Sequence, residues 1–293
     1  MLDVIHLTRT FGQLTAVDDV TFTVPAGQMI GFVGGNGAGK TTTMRMIMGL
    51  LAPDSGQVNL NGRPITRSDR SRFGYMPEER GLYAKQPILS QLIYLAELKG
   101  MTRDSAAAEA SGLMARFGLG DRLKDKLEKL SLGNQQRVQI AAAVMADPIG
   151  LILDEPFSGL DPKAVDEMAG LLAERASRGV PVLFSSHQLD LIDRLCDGLV
   201  ILANGRVVAA GTKDDLESRG ATKHRLVTDT DAGWVRDVPG LRVDAVDGGT
   251  ALFEILVPGA GDDLLAQALQ RGHVIEFTPV RPTLSEIYRE VTA

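Results

Sequence analysis

The chain has 293 residues, of which 44% are hydrophobic and 23% are charged, and this composition excludes a protein that is mainly disordered. Its net charge of −6 argues against a non-specific nucleic-acid binder, because such a protein needs a basic surface. The single cysteine, Cys196, excludes a disulfide framework within the chain and a cysteine-rich zinc site.

Strands and turns dominate the prediction for residues 1–65. Apolar residues typical of strands occur at Leu2 and Val4 and again from Val17 to Val24. The apolar run at 28–33 predicts a buried strand. After a glycine-rich segment, four apolar residues at helical spacing predict one face of a helix, namely Met44, Ile47, Met48 and Leu51. The Asn-Gly pair at 61–62 predicts a hairpin.

The middle of the chain is predicted to alternate between helices and short strands. Helix-forming residues predict helices at about 89–98, 104–117, 121–127 and 131–146. Short apolar strands are expected at 151–153 and 180–184, and the alternation favours a parallel sheet with helical crossovers. The most apolar region, 138–153, is interrupted by Gln139, Asp147 and Pro148, so it lacks the roughly 18 apolar residues of a membrane span. The start of the chain lacks the pattern of a signal peptide, and we expect a cytoplasmic protein.

The pattern changes after Gly211, which follows a hairpin predicted around Asn204-Gly205. Residues 241–257 alternate loosely, and Leu264, Leu265 and Leu269 mark a short amphipathic helix. Thr283 and Glu286 fit a capping box that opens a last helix. We therefore expect a small α+β domain over residues 213–293.

The glycine-rich segment carries the strongest local signal. Residues 34–41 match the pattern GxxxxGK[ST], follow a predicted strand and open a predicted helix, which is the context the motif requires. Glycines allow successive N–H groups to face an anion, and the helix N-terminus adds partial positive charge. We expect Lys40 to reach the β and γ phosphates of a nucleotide and Thr41 to bind Mg²⁺. The nucleotide-binding residues of this loop are then Gly34, Gly35, Asn36, Gly37, Ala38, Gly39, Lys40, Thr41 and Thr42.

Two carboxylates at the end of a predicted strand supply an acidic partner for this loop. Asp154 at the strand end can hold Mg²⁺, and Glu155 beside it can accept a proton from the attacking water or orient it. The structural alternative is a pair of helix-capping residues before Pro156.

The segment 130–137 (LSLGNQQR) resembles the LSGGQ signature of ATP-binding cassette (ABC) proteins. Residues 158–161 resemble the D-loop of that family, His187 its switch histidine and Phe11 the aromatic residue that stacks on adenine. The match covers about residues 2–212. It implies an α/β P-loop NTPase of ABC type, with a mainly parallel sheet core, an N-terminal antiparallel β subdomain and an inserted helical subdomain at about 85–145. The ATP-binding domain would then be 1–212, and 213–293 a small α+β accessory domain.

This chain departs from the family pattern at three positions. Leu132 replaces the first glycine of the signature, Asn134 replaces its glutamine, and Glu78 stands at the Q-loop position as a possible metal contact. Ser131 and Gly133 are retained. Residues 74–82 and 282–288 resemble the sodium- and drug-export branch of the family, which tends to carry a small C-terminal domain.

The resemblance implies a head-to-tail sandwich that binds ATP and Mg²⁺. ATP on the P-loop of one subunit would be covered by Ser131, Gly133 and Asn134 of a second ATP-binding subunit, with a homodimer expected. Glu155 would activate water, His187 would contact the γ-phosphate together with Lys40, and Asp161 would link the two sites. The chain would drive a separate membrane permease from the inner face of the membrane, as an exporter, with no nucleic-acid partner.

Other interpretations stay open at this point. A soluble ABC-type ATPase acting on nucleic acid or ribosomes is disfavoured by the single cassette, by the lack of a long heptad insert between Lys40 and Ser131, and by the acidic charge. A P-loop switch without a transport role would leave the signature unexplained. Locally, Phe11 can be a core aromatic, His187 a structural histidine and Asp161 only a helix cap.

Overall fold

The computed structural model describes residues 1–79, 81–219, 223–280 and 283–292. The chain forms two compact units, Met1–Thr212 and Lys213–Ala293. Arg80 and Pro282, which belong to the two segments that resemble the export branch, lie outside the described residues. Within the described ranges, no helix is both long and apolar enough to cross a membrane.

The first unit is a mixed α/β structure. Its strands are β1 (Leu2–Phe11), β2 (Leu14–Val24), β3 (Met29–Gly34), β4 (Ser55–Leu60), β5 (Arg63–Pro64), β6 (Gly74–Met76), β7 (Leu151–Leu153), β8 (Val182–Ser185), β9 (Gly198–Ala203) and β10 (Arg206–Thr212). Its α-helices are α1 (Lys40–Ile47), α2 (Arg67–Ser71), α3 (Ile88–Leu98), α4 (Arg103–Arg116), α5 (Leu132–Val144), α6 (Pro162–Ala176) and α7 (Leu189–Leu195).

A six-stranded sheet in the order β10-β9-β3-β8-β7-β6 forms the centre of this unit. All neighbours are parallel except β10, which runs antiparallel to β9. Every residue of β3, β7 and β8 is buried, as expected for a parallel sheet covered on both faces. Because β3, β8 and β7 are adjacent and parallel, the loops at their carboxyl ends lie at one edge of the sheet.

A second, antiparallel sheet in the order β2-β1-β4-β5 packs on the same core. Buried residues at Leu2, Val4 and Val20 join Phe32 of β3 and Met44 of α1 in one apolar cluster. The rings of Phe22 and Phe32 lie 5.2 Å apart. This shared core fixes α1, and with it the glycine-rich loop, against both sheets. The predicted α/β fold, with a mainly parallel sheet core and an N-terminal antiparallel β subdomain, is confirmed.

Two details of the helix prediction are wrong. Residues 121–127 do not form a helix, because only single 3-10 turns occur at Gly120–Arg122 and Leu127–Lys129. The backbone of this segment pairs instead with residues 86–89, for example through Leu127 N–H to Gln86 O at 3.2 Å and Ile88 N–H to Asp125 O at 3.0 Å. Helix α1 ends at Ile47, before the predicted Met48 and Leu51, because Gly49 adopts φ 71°, a conformation typical of a helix end.

The second unit is a small α+β structure, as predicted. It contains α8 (Lys213–Arg219), β11 (Lys223–Thr228), β12 (Leu241–Asp247), β13 (Thr250–Ile255), α9 (Ala260–Arg271), β14 (Val274–Val280) and α10 (Leu284–Thr292), with an antiparallel sheet in the order β12-β13-β11-β14. Its core includes Leu226, Phe253 and Leu264. The predicted capping box is present, because Glu286 N–H donates to Thr283 Oγ1 at 3.3 Å and Thr283 N–H to Glu286 Oε2 at 2.8 Å.

Candidate functional site

The loop between β3 and α1 depends on glycine for its shape. Gly39 has φ 102°, and a Cβ built there would lie 2.5 Å from Ala16 O. A Cβ at Gly34 would lie 2.5 Å from Leu202 O. A side chain at either position would therefore push the loop away from its neighbours.

Lys40 is the first residue of α1, and its side chain folds back over this loop. Its Nζ donates to Gly34 O at 2.7 Å and to Gly35 O at 3.2 Å. The ammonium group therefore lies at the loop, where the N-terminus of α1 adds partial positive charge. This arrangement favours an anionic ligand.

Three oxygen-bearing side chains meet beside Lys40. Thr41 Oγ1 donates to Asp154 Oδ2 at 2.7 Å, and Glu78 Oε2 lies 3.5 Å from the same hydroxyl. Asp154 follows β7, is only 1% exposed, and accepts a second hydrogen bond from Ser185 Oγ at 2.6 Å. A hydroxyl and one or two carboxylates are the protein ligands that Mg²⁺ takes when phosphates supply the others. The residues present therefore fit this ion.

Glu155 and His187 form a pair at the ends of adjacent strands. His187 Nδ1 lies 3.1 Å from Glu155 Oε2, and the histidine side chain is 62% exposed whereas that of Glu155 is 17% exposed. The Glu155 N–H donates to Ser185 Oγ at 2.8 Å. A partly shielded carboxylate oriented by an imidazole can take a proton from a water molecule. The His187 ring therefore contacts the carboxylate that the sequence predicts to be the base.

Lys40, Thr41, Asp154 and Glu155 border one cavity of about 470 Å³, whereas His187 is not among its lining residues. Its lining residues are Phe11, Leu14, Ala16, Asn36, Gly37, Ala38, Gly39, Lys40, Thr41, Thr42, Glu78, Asp154 and Glu155. Phe11 is 45% exposed, so it is not a core aromatic, and the guanidinium of Arg9 lies 5.0 Å from its ring centroid. Leu14 and Ala16 were not anticipated from sequence, because no motif marks them. Ser185 was also missed as a partner of the Asp154 carboxylate and of the Glu155 backbone N–H, although it lies only two residues before His187.

The signature residues are not among those that line this cavity. Ser131 caps α5, with Asn134 N–H 3.4 Å from its Oγ, and it is exposed. Gly133 lies beside the D-loop, since a Cβ built on it would be 3.1 Å from Gly159 O. Asp161 caps α6 through Ala164 N–H at 2.9 Å and lies 3.6 Å from Arg137 Nη2. Its capping role is therefore present in the structure.

The structure has a phosphate-binding loop before α1. A ligand set suited to magnesium and a paired carboxylate lie at the same edge of the sheet. These features define a P-loop nucleotide-binding protein. Family comparisons narrow this class. Residues 17–158 match the family described as ABC transporter, and residues 211–292 match that described as ATP-binding protein DrrA1-3-like, C-terminal domain.

Individual proteins agree with these matches. The chain is 38% identical over 293 residues, or 99% of its own length and 98% of the relative's, to the uncharacterized ABC transporter ATP-binding protein YhaQ of Bacillus subtilis. It is 34% identical over 222 residues, or 75% of its length and 71% of the relative's, to the linearmycin resistance ATP-binding protein LnrL of the same organism. The chain therefore belongs to the family of ABC transporter ATP-binding proteins.

Solved structures show the same fold. The structure of an ATP-binding subunit of an ABC transporter matches with a TM-score of 0.70 and 35% identity, over 75% of this chain and 92% of that one. The dimeric structure of MJ0796, a bacterial ABC transporter cassette, matches with a TM-score of 0.67 over 72% and 98% of the two chains. At 23% identity the second likeness supports the fold alone.

Proposed function

We propose that this protein is the ATP-hydrolysing, energy-coupling subunit of an ABC exporter, and that it works as a head-to-tail dimer with a separate permease. The observation that carries the proposal is the convergence of Lys40, Thr41, Asp154 and the Glu155–His187 pair at one edge of the parallel sheet. Phosphoryl transfer needs this combination of anion binding, metal ligation and water orientation.

Each residue has a defined part in the proposed hydrolysis. The N–H groups of residues 34–42 and the Lys40 ammonium bind the phosphates of ATP, while Phe11 stacks on the adenine. Thr41 and Asp154, with Glu78 nearby, would hold Mg²⁺, which would supply positive charge for the phosphate oxygens. Glu155 accepts a proton from the attacking water, and His187 orients the Glu155 carboxylate and contacts the γ-phosphate.

The proposed dimer follows from the separation of the signature from the cavity in one chain. The exposed Ser131 heads a helix of 13 residues, and its hydroxyl and the first N–H groups of α5 are suited to an anion. In a head-to-tail homodimer, Ser131, Gly133 and Asn134 of one copy cover the ATP of the other, and Asp161 lies where the two sites are linked. The MJ0796 cassette, which shares the fold, is dimeric.

A groove beside Glu78 supports docking of the permease. This cavity of about 460 Å³ lies between β6 and helices α3 and α5, and it is lined mainly by apolar residues, including Leu95 and the 66% exposed Leu98. Lys99 and Gln139 also line it, and their Nζ and Nε2 atoms are buried and have no hydrogen-bond partner among the described residues. We propose that an apolar permease segment carrying a carboxylate occupies this groove, because unpaired buried donors require an acceptor.

The names of several relatives support export as the direction of transport. They refer to linearmycin resistance, Nod factor export and multidrug transport. We place the protein on the cytoplasmic face of the membrane, held there by the permease, with no nucleic-acid partner. The alternative, a soluble ABC-type ATPase acting on nucleic acid or ribosomes, would not co-purify with a multi-span membrane protein.

Replacement of the proposed base tests the hydrolytic mechanism. Glu155→Gln keeps the shape of the side chain but removes the proton acceptor. We expect phosphate release to fall by about 10²–10³-fold, and light scattering with ATP to show a more stable dimer. Turnover at the parental rate would refute the assignment of Glu155, and strictly monomeric protein with ATP would refute the sandwich.

A further inference from the structure

A side chain of α5 contacts the backbone of the residue that we propose as the base. Gln136 lies five residues after Ser131, and its Nε2 donates to Glu155 O at 2.9 Å and to Pro156 O at 3.0 Å. An amide nitrogen carries two N–H groups, so both carbonyls can be satisfied at once. Helix α5, which begins within the signature segment, is therefore hydrogen-bonded to the segment after β7.

The backbone of Glu155 needs such support. Its φ of 51° lies in the left-handed region, which residues with a side chain seldom adopt and which persists only where the surroundings hold it. Ser185 Oγ accepts the Glu155 N–H at 2.8 Å, whereas Gln136 and the Ser158 N–H bind the carbonyl at 2.9 Å and 3.2 Å. The conformation that directs the Glu155 carboxylate is thus held from both sides, and one of these contacts comes from α5.

We infer that Gln136 is a positioning residue for hydrolysis: it fixes the backbone of Glu155 relative to α5. The inference rests on the proposed function, because it takes Glu155 as the base and the Ser131 end of α5 as the cover for a neighbouring copy's ATP. A displacement of that exposed helix end would move Gln136 and, through it, Glu155. Through Gln136 alone, hydrolysis at the Glu155 of one copy would then depend on how the exposed end of α5 docks on the neighbouring copy.

Three variants of the full chain test this role in an ATPase assay with saturating Mg²⁺. Gln136→Met removes both donors and keeps the length of the side chain, Gln136→Lys retains a donor, and Gln270→Met is a control on the exposed surface of α9. Because misplacement of a reacting group by about 1 Å can cost about 10²-fold, we expect Gln136→Met to lower kcat by about 10- to 100-fold. The KM for ATP should stay within about twofold of the parent, since no ATP contact is lost. Gln136→Lys should recover part of kcat, and the control should match the parent.

A double-mutant cycle separates positioning from a general structural effect. Because Gln136 acts through Glu155, Gln136→Met should not reduce the residual single-turnover rate of Glu155→Gln any further. A parental kcat for Gln136→Met, or losses that multiply in the double variant, would overturn the inference, even if Glu155→Gln is inactive and the proposed function stands. Parental turnover by Glu155→Gln would instead refute the proposed function itself.

Discussion

The buried ammonium of Lys99 gives a prediction in which stability and function change in opposite directions. Lys99 follows α3, and burial lowers its pKa from 10.5 to about 8, partly offset by the negative charge of Glu109. At about 1.4 kcal/mol per tenfold change in the equilibrium, a pKa change of this size corresponds to a cost of about 3 kcal/mol to the folded state.

The sign of the pH dependence follows from this lowered pKa. Below pH 8 the folded state holds the buried charge and bears the full cost. Between pH 8 and 10.5 the folded chain releases the proton before the unfolded chain does, so the contribution of Lys99 to stability improves as pH rises. The Lys99→Met variant should therefore be more stable than the parent by up to about 3 kcal/mol at pH 7, with a difference that shrinks towards pH 10.5.

The same variant should bind the permease less well. If Lys99 pairs with a carboxylate of the permease in the groove, its replacement leaves that carboxylate buried and unpaired, which costs several kcal/mol. Urea unfolding of the isolated subunit at pH 7 and 10 measures the first effect, and co-purification from membranes measures the second. The exposed Lys124→Met is the matched control. A variant with unchanged stability at both pH values would refute the burial argument, and undiminished permease retention would refute the docking surface.

Substitutions of Lys40 and Phe11 test the ATP site. Lys40→Ala removes the ammonium over the glycine-rich loop, and we expect calorimetric titration to detect no ATP binding, so that retained affinity would contradict the phosphate-binding role. Phe11→Ala should raise the KM for ATP by about 5- to 150-fold with little change in kcat, because stacking of a base on an aromatic ring is worth about 1–3 kcal/mol. Phe11→Tyr keeps the ring and should behave as the parent. Equal KM values for Phe11→Ala and Phe11→Tyr would exclude stacking.

Motifs that are continuous in sequence were predictable, whereas contacts across the sheet were not. The loop at 34–41 and the Asp154-Glu155 pair carry recognisable residue types in a strand–turn context, so their chemistry could be read locally. Ser185 and Gln136 contact Asp154 or Glu155 only because β8 lies beside β7 and α5 packs nearby. A sequence pattern does not state which strands are neighbours, so no local signal identifies these contacts.

The error at 121–127 has a similar origin. Lysine, leucine and arginine give this segment a high helix propensity, but propensity is a weak preference that tertiary contacts override. Three backbone hydrogen bonds to residues 86–89 pair some of its polar groups without a helix. Such pairing depends on the position of a distant segment, so composition alone cannot predict it.

The proposed need for a second copy rests on the distribution of binding groups between two surfaces of the chain. The cavity is lined by the glycine-rich loop, Lys40 and the predicted metal ligands, whereas the signature residues do not line it, so one chain supplies only part of the groups that the proposed mechanism places around the roughly four negative charges of a triphosphate. The exposed N-terminus of α5 is suited to that charge, yet in the same chain it lies next to Gly159 of the D-loop. Leu132, which is 62% exposed at the start of this helix, adds apolar surface where the family signature has glycine. In the proposed homodimer this leucine would occur twice, each copy next to the Ser131 that covers ATP, and its burial on closure would add a hydrophobic contribution that a glycine cannot supply.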